Sequence, residues 1–441
     1  MKQVIITTLG CKVNQFESAA FQTGFQEAGC TLVKAGSPAD IVVINTCAVT
    51  AKAGSQSRQA VRQAIRANPG ARILITGCYA ETGAVQLAEM ADLKGREYTI
   101  IGNSKKDQLV PTAINYDGEL QQMLLGAIDT AKEICRLPVR RFGDRTRAYL
   151  RIQDGCESYC TYCIVPYTRG PSRSLPPAEV VSQARIFADE GYREIVLTGI
   201  HLGYYGRDLE NPLDITDLLD RLSRETPEVR YRISSLEPTE ISEKLLTLMR
   251  VRDNIMPHLH IPLQSGNDEI LARMNRKYTT AEFREVVVDC RKFLPEAAIG
   301  IDILAGFPGE SEDHFLHTRD FLASLDCTYL HVFPYSRRPG TAAAEFGDEI
   351  PKKIKDSRVA ELRALGERKR DAFYLSQTGS IRSVLVEGKR DGKGLLQGFS
   401  DNYVPVHFPG HDNLKNSVVK VRLDRLDDAQ VTGEVILDNE S

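Results

Sequence analysis

No window of this chain approaches the roughly 18 consecutive apolar residues that span a bilayer. Met1 to Cys11 run straight into a strand-like segment without the apolar core of a secretory signal. The sequence therefore predicts a cytoplasmic protein without membrane attachment. It also lacks a surplus of either charge: 56 lysines and arginines face 59 acidic residues, a formal net charge of −3. No global field draws such a chain onto a polyanion, so any nucleic-acid contact falls to local patches. Low-complexity tracts are missing, as are a P-loop, a dinucleotide fingerprint and a Ser-His-Asp arrangement. His201, His260, His314 and His331 stand near strand ends without metal-site spacing and read as incidental.

What is present is cysteine, ten in 441 residues. In a reducing compartment structural disulfides are unexpected, so metal, cofactor or core must account for them. The sharpest group is Cys156-Glu157-Ser158-Tyr159-Cys160-Thr161-Tyr162-Cys163, a CxxxCxxC directly after a strand candidate. Three thiolates so close can hold three corners of one iron–sulfur cube, and no fourth cysteine or histidine follows nearby. An iron left without a protein ligand is free to bind and activate a substrate. The alternative is a zinc knuckle completed from a distance, although zinc ribbons usually show paired CxxC halves.

A second group is dispersed. Cys11, Cys47 and Cys78 each follow a β-branched run ending in Gly or Thr, at separations of one βαβ repeat. Successive strands of a parallel sheet point the same way, so the three thiols are expected at one sheet edge, where open α/β sheets bind ligands. A single such cysteine is ordinary core; three in equivalent positions predict a second three-thiol site. Cys30, Cys135, Cys290 and Cys327 read as core thiols.

The fold expected is α/β with three parts. Strand–helix alternation over 1–110 predicts an amino-terminal parallel α/β domain, followed by a weakly patterned linker at 111–146. Six further βα units over 147–375, fewer than the eight of a closed TIM barrel, predict a partial barrel. Residues 379–440 turn all-β, with runs at Ile381–Glu387, Val404–Phe408, Val418–Leu423 and Gln430–Leu437 that suggest a small barrel. Two stretches are locally basic: 136–173 and 351–370 each hold eight lysines or arginines against three acids. The first flanks the CxxxCxxC and suggests phosphate contacts beside the chemistry. In the last domain Lys389, Arg390 and Lys393 offer a basic face, with Phe399, Tyr403 or Phe408 for stacking.

CxxxCxxC ahead of a βα barrel resembles the radical S-adenosylmethionine superfamily, and the whole layout resembles its methylthiotransferase branch, with a TRAM-like domain at the end. The stretches that carry the likeness are Thr8-Leu9-Gly10-Cys11-Lys12-Val13-Asn14-Gln15, Gly155 through Gly170, Ser234-Ser235-Leu236-Glu237-Pro238, Pro262-Leu263-Gln264-Ser265-Gly266, and Gly300-Ile301-Asp302 on to Gly306-Phe307-Pro308-Gly309-Glu310. Within the branch, the Gly-Cys-Lys-Val-Asn-Gln opening and Gly170-Pro171-Ser172-Arg173-Ser174 look most like enzymes acting on threonylcarbamoyladenosine beside the tRNA anticodon. Relatives acting on isopentenyladenosine usually read Gly-Cys-Gln-Met-Asn at the first motif.

The resemblance implies two [4Fe-4S] clusters and S-adenosylmethionine. One cluster would sit on Cys156, Cys160 and Cys163 and reduce the sulfonium, yielding methionine and a 5′-deoxyadenosyl radical that takes hydrogen from adenine C2. The other, on Cys11, Cys47 and Cys78, would hand over methylated sulfur. By similarity of position Thr198 and Gly199 would bind the cofactor's amino group, Ser235, Glu237 and Gln264 its ribose or the substrate, and Tyr162 would pack near its adenine. The implied partners are the tRNA anticodon loop, an electron donor such as a flavodoxin or ferredoxin, and a sulfur source. Rival expectations are methylthiolation of isopentenyladenosine, methylthiolation of a ribosomal-protein aspartate, and a non-catalytic zinc or iron–sulfur RNA-binding module.

Overall fold

The computed structural model describes residues 1–115 and 121–436. The first sheet holds β1 (Gln3–Thr8), β2 (Thr31–Leu32), β3 (Ile41–Thr46), β4 (Arg72–Gly77), β5 (Tyr98–Ile101) and β6 (Gln121–Leu124) in the order β2-β1-β3-β4-β5-β6, all parallel. β3 and β4 are buried along their whole length, as a sheet covered on both faces requires. One covering helix, α1 (Lys12–Glu27), packs Phe21 and Phe25 beside Val4 and Val43; another, α2 (Ala51–Ala67), packs Val61 and Ile65 beside Ile44 and Ile75. A short helix, α3 (Cys78–Thr82), begins directly after β4. The stretch read as a linker is more than that, since it contributes β6, paired with β5.

The second body begins at β7 (Ala148–Arg151). A short antiparallel pair, β8 (Gln153–Asp154) and β9 (Arg173–Ser174), closes the Cys156–Cys163 loop at its base. Then come β10 (Glu194–Thr198), β11 (Arg230–Ile233), β12 (His258–Gln264), β13 (Ala298–Ala305) and β14 (Tyr329–Pro334). They form two parallel three-stranded sheets, β11-β10-β7 and β12-β13-β14, bridged by Ser235 and His260. This is the expected partial barrel of six strands. Alternation sorts its faces: Leu259, Ile261, Ile299, Ile301 and Val332 join the apolar core, while His260, Asp302 and His331 meet on the opposite, inner face.

After the helix Lys352–Ser376, β15 (Ile381–Arg390), β16 (Leu396–Ser400), β17 (Pro405–Phe408), β18 (Val418–Asp427) and β19 (Gln430–Val435) close a barrel in the order β15-β16-β17-β19-β18. β16 was not among the expected strands. Its Gly398 is required by packing, because a Cβ there would meet the Leu385 carbonyl at 2.4 Å. Leu437, at the end of the last expected strand, lies outside the described residues. Among the described residues no helix is long and apolar enough to cross a membrane.

The terminal barrel docks on one buried carboxylate. Glu194 pairs with Arg147 at 2.9 Å, Arg232 at 3.0 Å and Arg230 at 3.2 Å. Those arginines reach across to Glu387, Ser383 O and Asp401 O of the barrel. Burial alone would raise the Glu194 carboxyl, but the three guanidinium groups prevail and lower it to about 2 from 4.5. A depressed carboxylate stabilises the fold above its unfolded value and loses that contribution as pH falls through its folded one. Docking is therefore expected to weaken between pH 4.5 and about 2. Cleavage by an acid-active protease near residue 378 should rise in that window and be much less pH-dependent in Glu194→Gln; an unchanged profile would show that docking does not depend on this charge.

Candidate functional site

Cys11, Cys47 and Cys78 follow β1, β3 and β4, which lie side by side with Thr8 opposite Asn45 and Thr46 opposite Gly77. Neighbouring strands are about 4.8 Å apart, so the three loops leave the sheet together. Backbone freedom makes this possible. Gly10 has φ +98° and a Cβ there would stand 2.8 Å from Cys47 Sγ; Gly77 has φ +96° and a Cβ there would meet Thr46 O at 2.2 Å. Asn14 clamps two of the loops, its Nδ2 donating to the carbonyls of Leu9 at 2.7 Å and Thr46 at 3.0 Å. The thiols lie within one another's fields. Cys11 is reached by solvent while Cys47 and Cys78 are buried, so the group opens on one side.

The other triplet loops out between β8 and the helix Val165–Arg169. Gly155, at φ +80°, has no room for a Cβ, which would lie 1.9 Å from Pro171 O. Gln153, which sequence reasoning missed, ties this loop to the one after β10. Its Nε2 donates to Gly155 O at 2.7 Å, and its Oε1 accepts from the backbone N–H groups of Ile200 and His201 at 2.9 and 2.8 Å. His201 is not incidental. Its Nδ1 lies 3.4 Å from Cys156 Sγ, its Nε2 lies 2.5 Å from Glu240, and its ring stacks on Tyr204. Arg276 donates to Cys160 Sγ at 3.2 Å and pairs with Glu237.

Burial pushes the Cys47 thiol up to about 11 and that of Cys163 up to about 12. A thiol raised in this way stays protonated at neutral pH unless a metal takes the thiolate. Two groups of three converging sulfurs thus fit the donor set of a thiolate-held cluster.

The triplets share one space. Ile164, next to Cys163, packs in one apolar cluster with Cys78 and Tyr79, and Arg338, only 8% exposed, lies within the fields of Cys47, Cys78 and Cys163. Beside it runs a buried charge network. Arg169 donates from Nε to Cys78 Sγ at 3.3 Å, from Nη2 to Asn14 Oδ1 at 2.8 Å, and from Nη1 to Glu17 at 2.6 Å and to Asp154. Glu17 is held in addition by Lys106 and Arg151. The motif around Cys11 and the one around Cys163 are therefore two halves of one structure. Arg151, Arg169 and Arg173, expected to meet phosphate, are buried partners of Glu17 and Asp154.

The remaining candidates line the carboxyl ends of the barrel strands. Thr198 is buried and its carbonyl accepts from Ile152 N–H; Gly199 packs against Gln153. Ser235 is exposed, and Glu237 is committed to Arg276. Gln264 adopts φ +70° beside a bulge in β12, a conformation rare outside glycine and common where a strand end serves a site. Tyr162 packs against the cluster of Ile270, Met274, Phe307 and Tyr335. Cys30, Cys290 and Cys327 are buried as expected, whereas Cys135 is only half-buried, with Sγ 3.5 Å from Asn103 O. In the terminal barrel Phe408 is wholly buried, while Phe399 and Tyr403, half-buried, stack on each other beneath Arg147 and Arg232 at the domain junction and line an open pocket with Tyr329 and Arg363.

Comparison with known proteins agrees with this layout. Residues 150–322 match the family described as the radical SAM superfamily, and 3–95 match one described as uncharacterized protein family UPF0004. The threonylcarbamoyladenosine tRNA methylthiotransferase MtaB of Bacillus subtilis is 38% identical over 96% of this chain and 94% of its own. A tRNA-2-methylthio-N(6)-dimethylallyladenosine synthase of a Thermoanaerobacter species is 32% identical over 98% of this chain and 92% of its own. The radical S-adenosylmethionine methyltransferase TsrM of Kitasatospora setae shares the fold, with a TM-score of 0.57 at 14% identity over 78% of this chain and 74% of that one. On the extent and degree of the first match, the chain belongs to the threonylcarbamoyladenosine tRNA methylthiotransferases.

Proposed function

We propose that this chain is a cytoplasmic enzyme that adds a methylthio group to C2 of N6-threonylcarbamoyladenosine next to the anticodon of tRNA. The observation that supports the reading is the pair of three-cysteine groups brought together where Arg169 reaches Cys78 Sγ and Ile164, next to Cys163, packs in one cluster with Cys78. When bound, a cluster on Cys156, Cys160 and Cys163 would supply the electron that cleaves S-adenosylmethionine, and one on Cys11, Cys47 and Cys78 the sulfur. Adenine C2 carries no acidic proton, so acid–base side chains alone cannot activate it, which is why such cofactors are called for. The protein's own work is positional. His201 and Arg276 place donors beside Cys156 and Cys160, Arg169 does so beside Cys78, and the loops at Thr198–Gly199, Ser235, Glu237, Gln264 and Tyr162 form the proposed cofactor pocket. A loop adenine enters by splaying from its neighbours. In this reading residues 1–110 carry the sulfur-donating site, 147–375 the radical site, and 379–440 a TRAM-like module; an electron donor and a sulfur source act in trans.

Nucleoside analysis of tRNA tests the reading. Cells without this protein are expected to lose 2-methylthio-threonylcarbamoyladenosine and accumulate its unthiolated form, and the gene in trans should reverse both changes. Anaerobically reconstituted protein should carry about eight irons, four per cube, and release 5′-deoxyadenosine on reduction. Unchanged tRNA with loss of the methylthio group from a ribosomal-protein aspartate would overturn the substrate; a colourless zinc-loaded protein would overturn the enzyme.

A further inference from the structure

Around the shared space most cations are committed. Arg169 serves Glu17 and Asp154, Arg276 serves Glu237, and Arg232 is forked onto Glu194. Lys12 differs. It follows Cys11 directly, its side chain is reached by solvent, and its ammonium has no hydrogen bond or ion pair among the described residues. The charges that act on it are Cys11, Arg147 and, from the inner face of the partial barrel, Arg232 and Asp302. Asp302 acts on it without an ion pair among the described residues, its carboxylate being hydrogen-bonded by His260 at 2.7 Å and facing His331 at 3.4 Å. An exposed lysine directly beside Cys11, without a paired carboxylate among the described residues and within the fields of two arginines and one aspartate, is a cation open to an anion that arrives with the substrate.

We propose that Lys12 is a specificity-determining residue that takes the carboxylate of the substrate's N6 substituent, an inference that rests on the function proposed above. The chemistry of the nucleoside brings that carboxylate to the right edge. In N6-threonylcarbamoyladenosine the ureido N–H turns back to hydrogen-bond N1, so the threonyl group lies along the N1 side of the base, and N1 neighbours C2. Whatever presents C2 to the Cys11 group therefore also presents the carboxylate there. An N6 substituent that is an uncharged alkenyl chain would leave Lys12 desolvated and unmatched, which turns the same residue into a barrier against it.

The test compares two anticodon stem-loops, one with threonylcarbamoyladenosine and one with its methyl ester, which differ in a single charge. Binding to the reconstituted full chain is read by fluorescence anisotropy and turnover by mass spectrometry. The wild type is expected to prefer the acid roughly tenfold to hundredfold, the range for a hydrogen bond to a charged group. Lys12→Gln should abolish the preference by weakening the acid alone, and Lys12→Arg should keep it. Equal weakening of acid and ester by Lys12→Gln, with iron content falling from about eight, would make Lys12 a mere support of Cys11 and overturn the proposal. If the wild type modifies the acid yet the variant retains the full preference, only the assignment of Lys12 falls. If the wild type shows no preference and modifies neither stem-loop, the parent reading falls with it.

Discussion

Replacing Cys47 with alanine is expected to leave reductive cleavage of S-adenosylmethionine intact and to abolish methylthiolation. The expectation follows from the different anchors of Cys47 and of the Cys156–Cys163 loop. Cys47 hangs on β3, where Ser57 Oγ donates to its carbonyl at 3.0 Å and accepts from its N–H at 3.1 Å. None of these contacts belongs to the Cys156–Cys163 loop, which is held by Gln153, His201, Arg276 and, through Thr161 Oγ1, the Arg273 carbonyl. Two thiols cannot hold a cube as three do, so iron should fall from about eight to about four per chain. Formation of 5′-deoxyadenosine should stay within a few-fold of wild type while methylthiolated product drops below detection. Methylthiolation that persists in the variant, or loss of both activities with the second cluster's iron retained, would show that the two groups do not divide the reaction.

The placement of the two triplets, one in a single loop and one at neighbouring strand ends, was legible because each rests on a rule that needs no tertiary knowledge. CxxxCxxC is local, and Cys11, Cys47 and Cys78 follow from where parallel strands end. His201 could not be found that way: its partner Cys156 is 45 residues distant, and its meaning comes from Gln153 binding the two loops together. The arginines misled for a related reason. In sequence, Arg151, Arg169 and Arg173 look like a basic surface, because their counter-charges Glu17 and Asp154 lie on α1 and at the base of the Cys156–Cys163 loop. Charge counted along a chain says nothing of charge paired across it. Phe399 and Tyr403 repeat the point, since alternation assigns a ring to one face of a strand but not to what covers that face.

Removing the Glu17 carboxylate is expected to be among the most damaging single changes away from the cysteines. Glu17 is wholly buried and meets Arg169 at 2.6 Å, Arg151 at 3.5 Å and Lys106. Burial would raise its carboxyl, but these cations overcome that and hold it well below the usual range, so it is ionised throughout neutral pH. Alanine leaves three buried cations with Asp154 as the remaining carboxylate among these contacts. Breaking one partner out of a buried charge network costs about 3–5 kcal/mol, because the charges left behind can neither pair nor reach water. Since Glu17 lies on α1 and Arg151 and Arg169 belong to the barrel side, the loss falls on the seam between the first two bodies. Glu17→Ala should lower the thermal midpoint by several degrees and expose the segment 121–145 to protease; Glu17→Gln, which still accepts hydrogen bonds, should be milder. Arg169→Lys isolates the other half of the argument. It keeps the charge, but one ammonium cannot serve Cys78, Asn14, Glu17 and Asp154 as the planar fork does. That variant should fold with near-normal stability and lose iron preferentially from the Cys11–Cys47–Cys78 group, with 5′-deoxyadenosine formation retained. Wild-type melting in Glu17→Ala, together with full iron in Arg169→Lys, would mean that the network neither holds the seam nor shapes the site.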